Sequence, residues 1–163
     1  DTVVRATQGR ASDRAHGFGL LARSGASVVG TLVVFERNRA VGIRLEDLGT
    51  LLALEDALVR DTQAQESDLA AGLGLQALAG AAFVARRAAF VGNRGTGVVV
   101  SGAGTTATLE DAVVRDTLGR ESDGVGGGGL EVQEGASVVT TRTRWPSRSC
   151  SSAKPSRLLV GPP

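Results

Sequence analysis

The residues in this sequence that are best suited to catalysis are carboxylates that recur at one spacing, each directly after an arginine. Asp61 follows Arg60, and 55 positions later Asp116 follows Arg115. Two carboxylates can act as acid and base in the cleavage of a glycosidic bond when they lie about 5 to 9.5 Å apart. These four residues are therefore the catalytic candidates. Whether the two aspartates lie close enough to act as acid and base depends on the fold.

The same spacing belongs to the whole chain and not only to these charges. The segment 54–62 reads LEDALVRDT, the segment 109–117 reads LEDAVVRDT, and DTVVRAT at the start of the sequence opens a third repeat unit. Self-similarity at a fixed period is typical of stacked architectures, in which each unit buries its apolar face against its neighbours. The elements that position the charged residues are therefore units of an array.

Each repeat unit alternates constant apolar residues with variable ones. Leu20, Leu75 and Leu130 are equivalent, whereas the next position holds first a leucine, then Gln76, then Glu131. This period of two predicts strands with one buried face, because successive side chains of a strand point to opposite sides. Glycines mark the corner after each of these strands, where a bend needs positive φ: Gly25, Gly80 and Gly135.

Each unit also contains a weaker repeat at an offset of about 24 residues, because GASVVGTLVVFERN from Gly25 resembles GTLLALEDALVRDT from Gly49. Each unit is therefore predicted to form two coils, one of about 24 residues and one of about 31 that carries a polar loop. Frequent glycine argues against an α-solenoid, and the leucine-rich-repeat spacing is absent. The predicted fold is an all-β parallel β-helix of about six coils with a 55-residue double-coil repeat.

Four recurring motifs carry a family resemblance: ATLEDAVVRDT, the SDG-type loop, GLEVQEGASV and NRGTGVVVSGAG. They resemble the right-handed parallel β-helix repeat proteins of the pectate-lyase-like superfamily, in particular surface or secreted β-helix proteins of myxobacteria. The resemblance covers Asp1 to about Arg144 and implies a right-handed solenoid at the cell surface or outside the cell. That superfamily includes lyases, hydrolases and adhesins, so the resemblance implies a fold rather than one activity.

The repeat register is lost near Trp145, where the sequence becomes WPSRSCSSAKPSRLLVGPP. We divide the chain into a β-helix segment, 1–144, and an irregular C-terminal tail, 145–163. The tail contains the only cysteine, Cys150, so an internal disulfide framework is excluded. We hypothesise that the tail is not evolved β-helix sequence and arose from a shifted reading frame or a fusion.

Two further residue sets recur in the array. Serine–aspartate pairs lie at matching places in the polar loops and are candidates for ligand binding: Ser67, Asp68, Ser122 and Asp123. A second set, read with an offset near 23, is predicted to form a structural ladder at one bend: Asn38, Asp61, Asn93 and Asp116. Equivalent aspartates would lie two coils apart, ~9.6 Å at ~4.8 Å per coil, so turn and ladder roles are favoured over catalysis.

Composition excludes several classes of partner. Eighteen basic against seventeen acidic residues give a formal charge of +1, which provides no field to attract nucleic acid or anionic lipid. No apolar run approaches the ~18 residues of a membrane span, and any signal segment would lie upstream. His16 is the only histidine, so we expect no histidine metal site, no serine–histidine–aspartate triad and no cofactor.

The function expected from these observations is passive. The chain is predicted to be a structural or binding segment that presents a regular polar face to a glycan or a protein, continued by further coils of a longer chain. The alternative is a polysaccharide lyase or glycoside hydrolase of the superfamily, and only the lyase version would use calcium. A third alternative is a fragment of a decayed or mistranslated gene.

Overall fold

A computed structural model of the chain describes residues 2–145 and 157–160. The described residues form sixteen β-strands and no helix. The strands are β1 (Thr2–Arg5), β2 (Leu20–Ala22), β3 (Ser27–Thr31), β4 (Val33–Glu36), β5 (Val41–Leu45), β6 (Leu51–Glu55), β7 (Leu58–Arg60), β8 (Leu73–Leu78), β9 (Ala82–Arg86), β10 (Ala89–Val91), β11 (Thr96–Ser101), β12 (Thr106–Glu110), β13 (Val113–Arg115), β14 (Gly128–Gln133), β15 (Ser137–Thr141) and β16 (Arg157–Val160).

The strands pair in parallel to form three sheets. Sheet A contains β1, β4, β7, β10 and β13, sheet B contains β2, β5, β8, β11 and β14, and sheet C contains β3, β6, β9, β12, β15 and β16. Up to β15 the chain visits sheets A, B and C in strict rotation, and we call one passage through B, C and A a coil. The all-β, parallel and stacked character that the period of two predicted is confirmed, and the topology is compatible with a parallel β-helix.

The strand register explains the long period of the sequence. In sheet B the offset between paired residues alternates between 23 and 32, and in sheets A and C, up to β15, it alternates between 24 and 31. One short and one long coil therefore add up to one repeat unit. The equivalent leucines Leu20, Leu75 and Leu130 lie in one column, with Ile43 and Val98 between them.

The core lies between the three sheets and is built from small aliphatic side chains with a few phenylalanines. Leu75 of sheet B, Phe83 of sheet C and Phe90 of sheet A belong to one buried cluster, and Leu130 belongs to it as well. Burial of one such side chain stabilises the fold by about 1.5–3 kcal/mol. Each strand contributes only a few of these residues, so stability depends on the continuity of the columns from coil to coil.

Two kinds of glycine shape the corners. Gly25, Gly80 and Gly135 have φ of 77°, 86° and 79°, as predicted for the bend between sheets B and C. Other glycines avoid a collision between coils: a Cβ added to Gly74 would lie 2.4 Å from the carbonyl oxygen of Gly97. No side chain can enter a space of that size unless the backbone moves.

The C-terminal tail contributes one described strand. The backbone of β16 pairs with that of β15, so that sheet C gains a sixth strand. Before it, Arg144 forms a bridge to Val113 of sheet A, and the Trp145 side chain packs on the core. The other tail residues, 146–156 and 161–163, and with them Cys150, lie outside the described part of the chain.

Candidate ligand-binding groove

A concave surface runs along the outer face of sheet B. Two adjoining cavities, of about 650 and about 350 Å³, share the residues Ala71, Leu73 and Gln76 in their walls. They therefore form one groove that crosses the strands of sheet B in the direction of stacking. We refer to it as the sheet B groove.

The floor of the sheet B groove is a column of side chains from successive coils. The strand register aligns one outward residue from each strand of sheet B: Leu21, Arg44, Gln76, Val99 and Glu131. Their inward neighbours, such as Leu75 and Leu130, fill the core. Because neighbouring strands lie about 4.8 Å apart, the groove presents a different side chain at each step of this length.

At one end of the groove, Arg44 organises a cluster. Its guanidinium donates to Glu46 Oε1 at 2.6 Å and to Gln76 Oε1 at 2.6 Å. It also lies 5.5 Å from the centre of the Phe18 ring, within the range of a cation–π interaction. The ring of His16 meets Phe18 edge-on, with 5.1 Å between the ring centres. The contact with Arg44 fixes the oxygen of the Gln76 amide, so that the amide nitrogen can donate to a ligand.

At the other end, Glu131 is the central group. Thr96 Oγ1 donates to Glu131 Oε2 at 3.3 Å, and the Gln133 side-chain amide donates to Glu131 Oε1. A carboxylate has about four acceptor sites, so Glu131 retains capacity to accept hydrogen bonds from ligand hydroxyls. Arg120, which also lines the groove, is held at the rim by Asp123, at 2.7 Å.

The long loops between sheets A and B stack on one another and form a wall of the groove. The backbone N–H of His16 donates to Gln65 Oε1 at 3.1 Å, and the N–H of Ser122 donates to the carbonyl of Leu69 at 3.1 Å. These contacts connect loops of different repeat units. The wall is therefore a continuous layer rather than a set of independent loops.

The serine–aspartate pairs lie within these loops, where their side chains hold loop turns. Asp68 Oδ1 accepts from the N–H of Ala70 at 2.9 Å, and Asp123 Oδ1 accepts from the N–H of Val125 at 2.9 Å. The hydrogen bond from Val125, together with that from Arg120, lowers the pKa of Asp123. Ser67 Oγ accepts from the Gln65 amide at 2.7 Å. The aspartates thus shape the groove wall by bonding to their own backbone.

The catalytic candidates lie away from the groove, at the corner that follows sheet A. Asp61 and Asp116 are exposed and have φ of 55° and 56°, and Arg115 lies 3.6 Å from Asp116. Arg60 donates to Glu36 Oε2 at 3.0 Å in the neighbouring strand of sheet A. The register of sheet A places a whole coil between the two aspartates, which separates their backbones by ~9.6 Å.

The predicted ladder is divided between two columns. Asn38 and Asn93 are fully buried: Asn93 Oδ1 accepts from the N–H of Thr62 at 3.1 Å, and its Nδ2 donates to the carbonyl of Val59 at 3.0 Å. Residues after sheet A align with an offset of 24, as the bridges Arg39 to Gln63 and Arg94 to Leu118 show. The column of asparagines therefore contains Thr62 and Thr117, and the exposed Asp61 and Asp116 lie one position earlier.

Sequence reasoning did not select the groove residues as a site. Arg44, Gln76 and Glu131 occupy the position that varies from strand to strand, and this position was interpreted only as the solvent face. The variation itself was the available signal, because a repeat that conserves its inward residues and diversifies an outward column concentrates unlike groups on that face. Closure of the groove by the loops could not be derived from the sequence.

Two classes of site are absent from the described residues. Within 2–145 and 157–160, no three His, Cys, Asp or Glu side chains are grouped so that they could hold a metal ion. The same part of the chain has no helix with the length and apolar character needed to cross a membrane.

Comparisons with known proteins give no relative: no family model, no curated protein and no solved structure matches this chain. Inference about its function therefore depends on the geometry of the chain itself.

Proposed function

We propose that the chain is a segment of a right-handed parallel β-helix in a surface or secreted protein, and that the sheet B groove binds an extended glycan. The observation that carries the proposal is the column Arg44, Gln76 and Glu131, in which planar polar side chains from different coils line one elongated groove. The right-handed solenoid is supported by the rotation of the chain through three parallel sheets and by the near-universal handedness of parallel crossovers.

The chemistry of the groove suits sugar hydroxyl groups. Gln76 offers a donor, Glu131 offers acceptors at one end of the groove, and Phe18 offers an aromatic ring at the Arg44 end. Each side chain is held by a neighbour before a ligand arrives, which reduces the entropy lost on binding. The groove side chains Arg44 and Glu46 neutralise one another, as do Arg120 and Asp123, so a neutral glycan suits the groove better than a polyanion.

Carboxylate spacing favours binding over cleavage. Glu46 directly follows β5 and Glu131 lies in β14, three strands away in sheet B, which corresponds to ~14 Å between their backbones. Glycoside cleavage needs carboxyl groups about 5 to 9.5 Å apart. The alternative of a hydrolase or lyase therefore has less support in the groove than passive recognition has.

Isothermal titration calorimetry of the 163-residue chain against neutral and acidic oligosaccharides tests the proposal. We expect binding of a neutral oligosaccharide, weakened about tenfold or more by Gln76→Ala or Glu131→Ala, the loss of about 1.4 kcal/mol typical of one good hydrogen bond. Thr108→Ala, on the outer face of sheet C, is the matched control and should bind like the parent chain. Absence of binding to every sugar would contradict the proposal.

Product analysis after the same incubations addresses the alternative. An intact oligosaccharide is expected. Cleavage that disappears in Asp61→Ala or Asp116→Ala would replace the binding proposal with an enzymatic one.

A further inference from the structure

The outer face of sheet C is apolar over its first three strands. Its exposed side chains include Val29 and Leu51, with 77% and 50% of their surface accessible, and around them lies a shallow depression of about 260 Å³. We call the following set the sheet C patch: Val29, Leu51, Ala53, Ala82 and Val84. Large aliphatic groups gathered on a flat strand surface are a typical feature of an interaction site.

The strand register defines three outward columns on this face. The first contains Ser27, Leu51, Ala82, Thr106 and Ser137, the second contains Val29, Ala53, Val84, Thr108 and Val139, and the third contains Thr31, Glu55, Arg86, Glu110 and Thr141. The apolar residues therefore occupy the strands β3, β6 and β9. Apart from Val139, the outward residues of the next strands, β12 and β15, are polar, so the apolar residues border a more polar surface on that side.

The third column alternates in charge. Glu55, Arg86 and Glu110 follow one another on adjacent strands. Arg86 contacts Glu110 at 2.9 Å, and Glu55 contacts Arg87 at 2.6 Å. All of these side chains retain a third or more of their surface exposed, so they can also contact a second molecule.

This pattern is complementary to itself. A two-fold axis that lies in the face, parallel to the strands and midway between β6 and β9, brings β6 of one molecule opposite β9 of the other. Under this operation Glu55 faces Arg86, Leu51 faces Ala82, and Ala53 faces Val84, so that opposite charges and large and small side chains meet. The same axis places β3 opposite β12. A closed two-fold dimer forms through one surface patch that is complementary to itself.

From this we infer that the occupant of the sheet C patch is a second molecule of this chain, packed face to face with its stacking direction reversed. Two sheets packed in this way keep their strands within about 30° of each other and lie about 10 Å apart. At about 3.3 Å per residue and about 4.8 Å per strand, four five-residue strands present roughly 300 Å² in projection. An interface of this size is small even when both faces are counted, so the dimer is expected to be weak and to form only at high protein concentration.

Sedimentation velocity of the full chain between about 10 µM and about 1 mM, the concentration range in which a weak complex forms, tests the inference. We expect a reversible shift from monomer to dimer in the parent chain and a monomer at all concentrations for Leu51→Arg. Val3→Arg is the matched control, because Val3 is an equally exposed aliphatic residue, at 54%, on sheet A. A parent chain that stays monomeric throughout would overturn the inference, as would loss of the dimer in Val3→Arg.

A charge-swap experiment tests the orientation. Glu55→Arg places two arginines opposite each other in both contacts of the dimer, and Arg86→Glu places two glutamates there, so neither variant should self-associate. A mixture of the two variants restores opposite charges at both contacts and should dimerise like the parent chain. Failure of the mixture to associate, with both variants folded by circular dichroism, would show that the patch has a different occupant or a different geometry.

Discussion

Arg87 holds Asp56 of the preceding coil in a bidentate ion pair: Nε lies 2.7 Å from Oδ1, and Nη2 lies 2.9 Å from Oδ2. Both residues have positive φ, 48° and 52°, at the corner between sheets C and A. The equivalent pair one repeat unit later is Arg142 with Asp111. The first corner of this column holds Leu32. From Asp56 onwards the corner alternates aspartate and arginine from coil to coil, and each arginine contacts the aspartate 31 residues before it.

This pair makes stability depend on pH in a defined direction. The hydrogen bonds from Arg87 lower the pKa of Asp56 in the folded chain. Its stabilising contribution is therefore fully present above the pKa of an unfolded aspartate, about 3.9, and is lost as the pH falls through the lower folded value. We expect Arg87→Gln to lower the Tm slightly at pH 7 and low salt, and to have less effect at pH 2 or in 1 M salt.

The comparison variant is Arg115→Gln, because among the described residues the Arg115 side chain forms an ion pair only with its chain neighbour Asp116 and with no residue of another coil. Thermal unfolding followed by circular dichroism measures both variants. An effect of Arg87→Gln that is equal at pH 7 and pH 2 would contradict the ion-pair explanation.

Gly74 is predicted to tolerate no side chain. Its added Cβ would lie 2.4 Å from the Gly97 carbonyl oxygen and 2.8 Å from Asn93 Nδ2. Because both atoms belong to packed, hydrogen-bonded groups, Gly74→Ala should destabilise the chain by about 3 kcal/mol or more. Gly128→Ala, whose nearest neighbour would be 4.0 Å away, should be near neutral. Urea denaturation of the two variants measures the difference.

Asn93 is predicted to matter for stability, whereas Asp116 is not. Replacing Asn93 with alanine leaves the buried N–H of Thr62 without its partner and removes one of the donors to the carbonyl of Val59. An unpaired buried group costs about 1–3 kcal/mol, so we expect a loss of that size. Asp116→Asn changes only an exposed side chain, keeps a residue type that tolerates the positive φ of this position, and should change the unfolding free energy by about 0.5 kcal/mol or less. Equal effects of the two substitutions in urea denaturation would contradict the column that the register defines.

Thr105 connects two coils through one buried hydroxyl. Its Oγ1 accepts from the N–H of Gly80 at 2.9 Å and donates to the carbonyl of Ser101 at 2.8 Å. Thr105→Val keeps the shape and removes both bonds, and we expect a loss of about 1–3 kcal/mol. The adjacent, exposed Thr106 provides the control as Thr106→Val. Faster hydrogen exchange of the Gly80 amide, confined to Thr105→Val, would identify the lost contact directly.

The inward-facing positions of the strands could be predicted from the sequence, because burial restricts which residue types can occupy them. Leu20, Leu75 and Leu130 share a column because an inward position accepts only apolar groups of similar volume in each unit. The corner glycines were predictable for a comparable reason, since positive φ there admits few other residues without strain. These features depend on local conformation, which the period of the sequence reports directly.

The asparagine column and the sheet B groove could not be predicted from the sequence, because both depend on how segments that are distant in the chain align with one another. Asn38 aligns with Thr62 rather than Asp61 because the corner between sheets B and C is one residue longer after β5 than after β2, which raises the offset from 23 in sheet B to 24 in sheets C and A. Because asparagine and aspartate are chemically alike, the prediction placed Asp61 and Asp116 in the column of Asn38 and Asn93, with an offset near 23. The observed offset is 24. The groove depends on contacts between loops of different repeat units, such as the one between Ser122 and Leu69, and such tertiary contacts leave no periodic trace.

The alternation of short and long coils restricts how this architecture can be lengthened. Insertion of one whole repeat unit would bring arginine corners against aspartate corners again and would keep the asparagine and threonine positions in alternation. Insertion of a single coil would set two corners of the same charge beside one another, two aspartates or two arginines, and leave one of them without a partner of opposite charge. The smallest module that can be added or deleted by recombination, or by an engineer, is therefore a pair of coils.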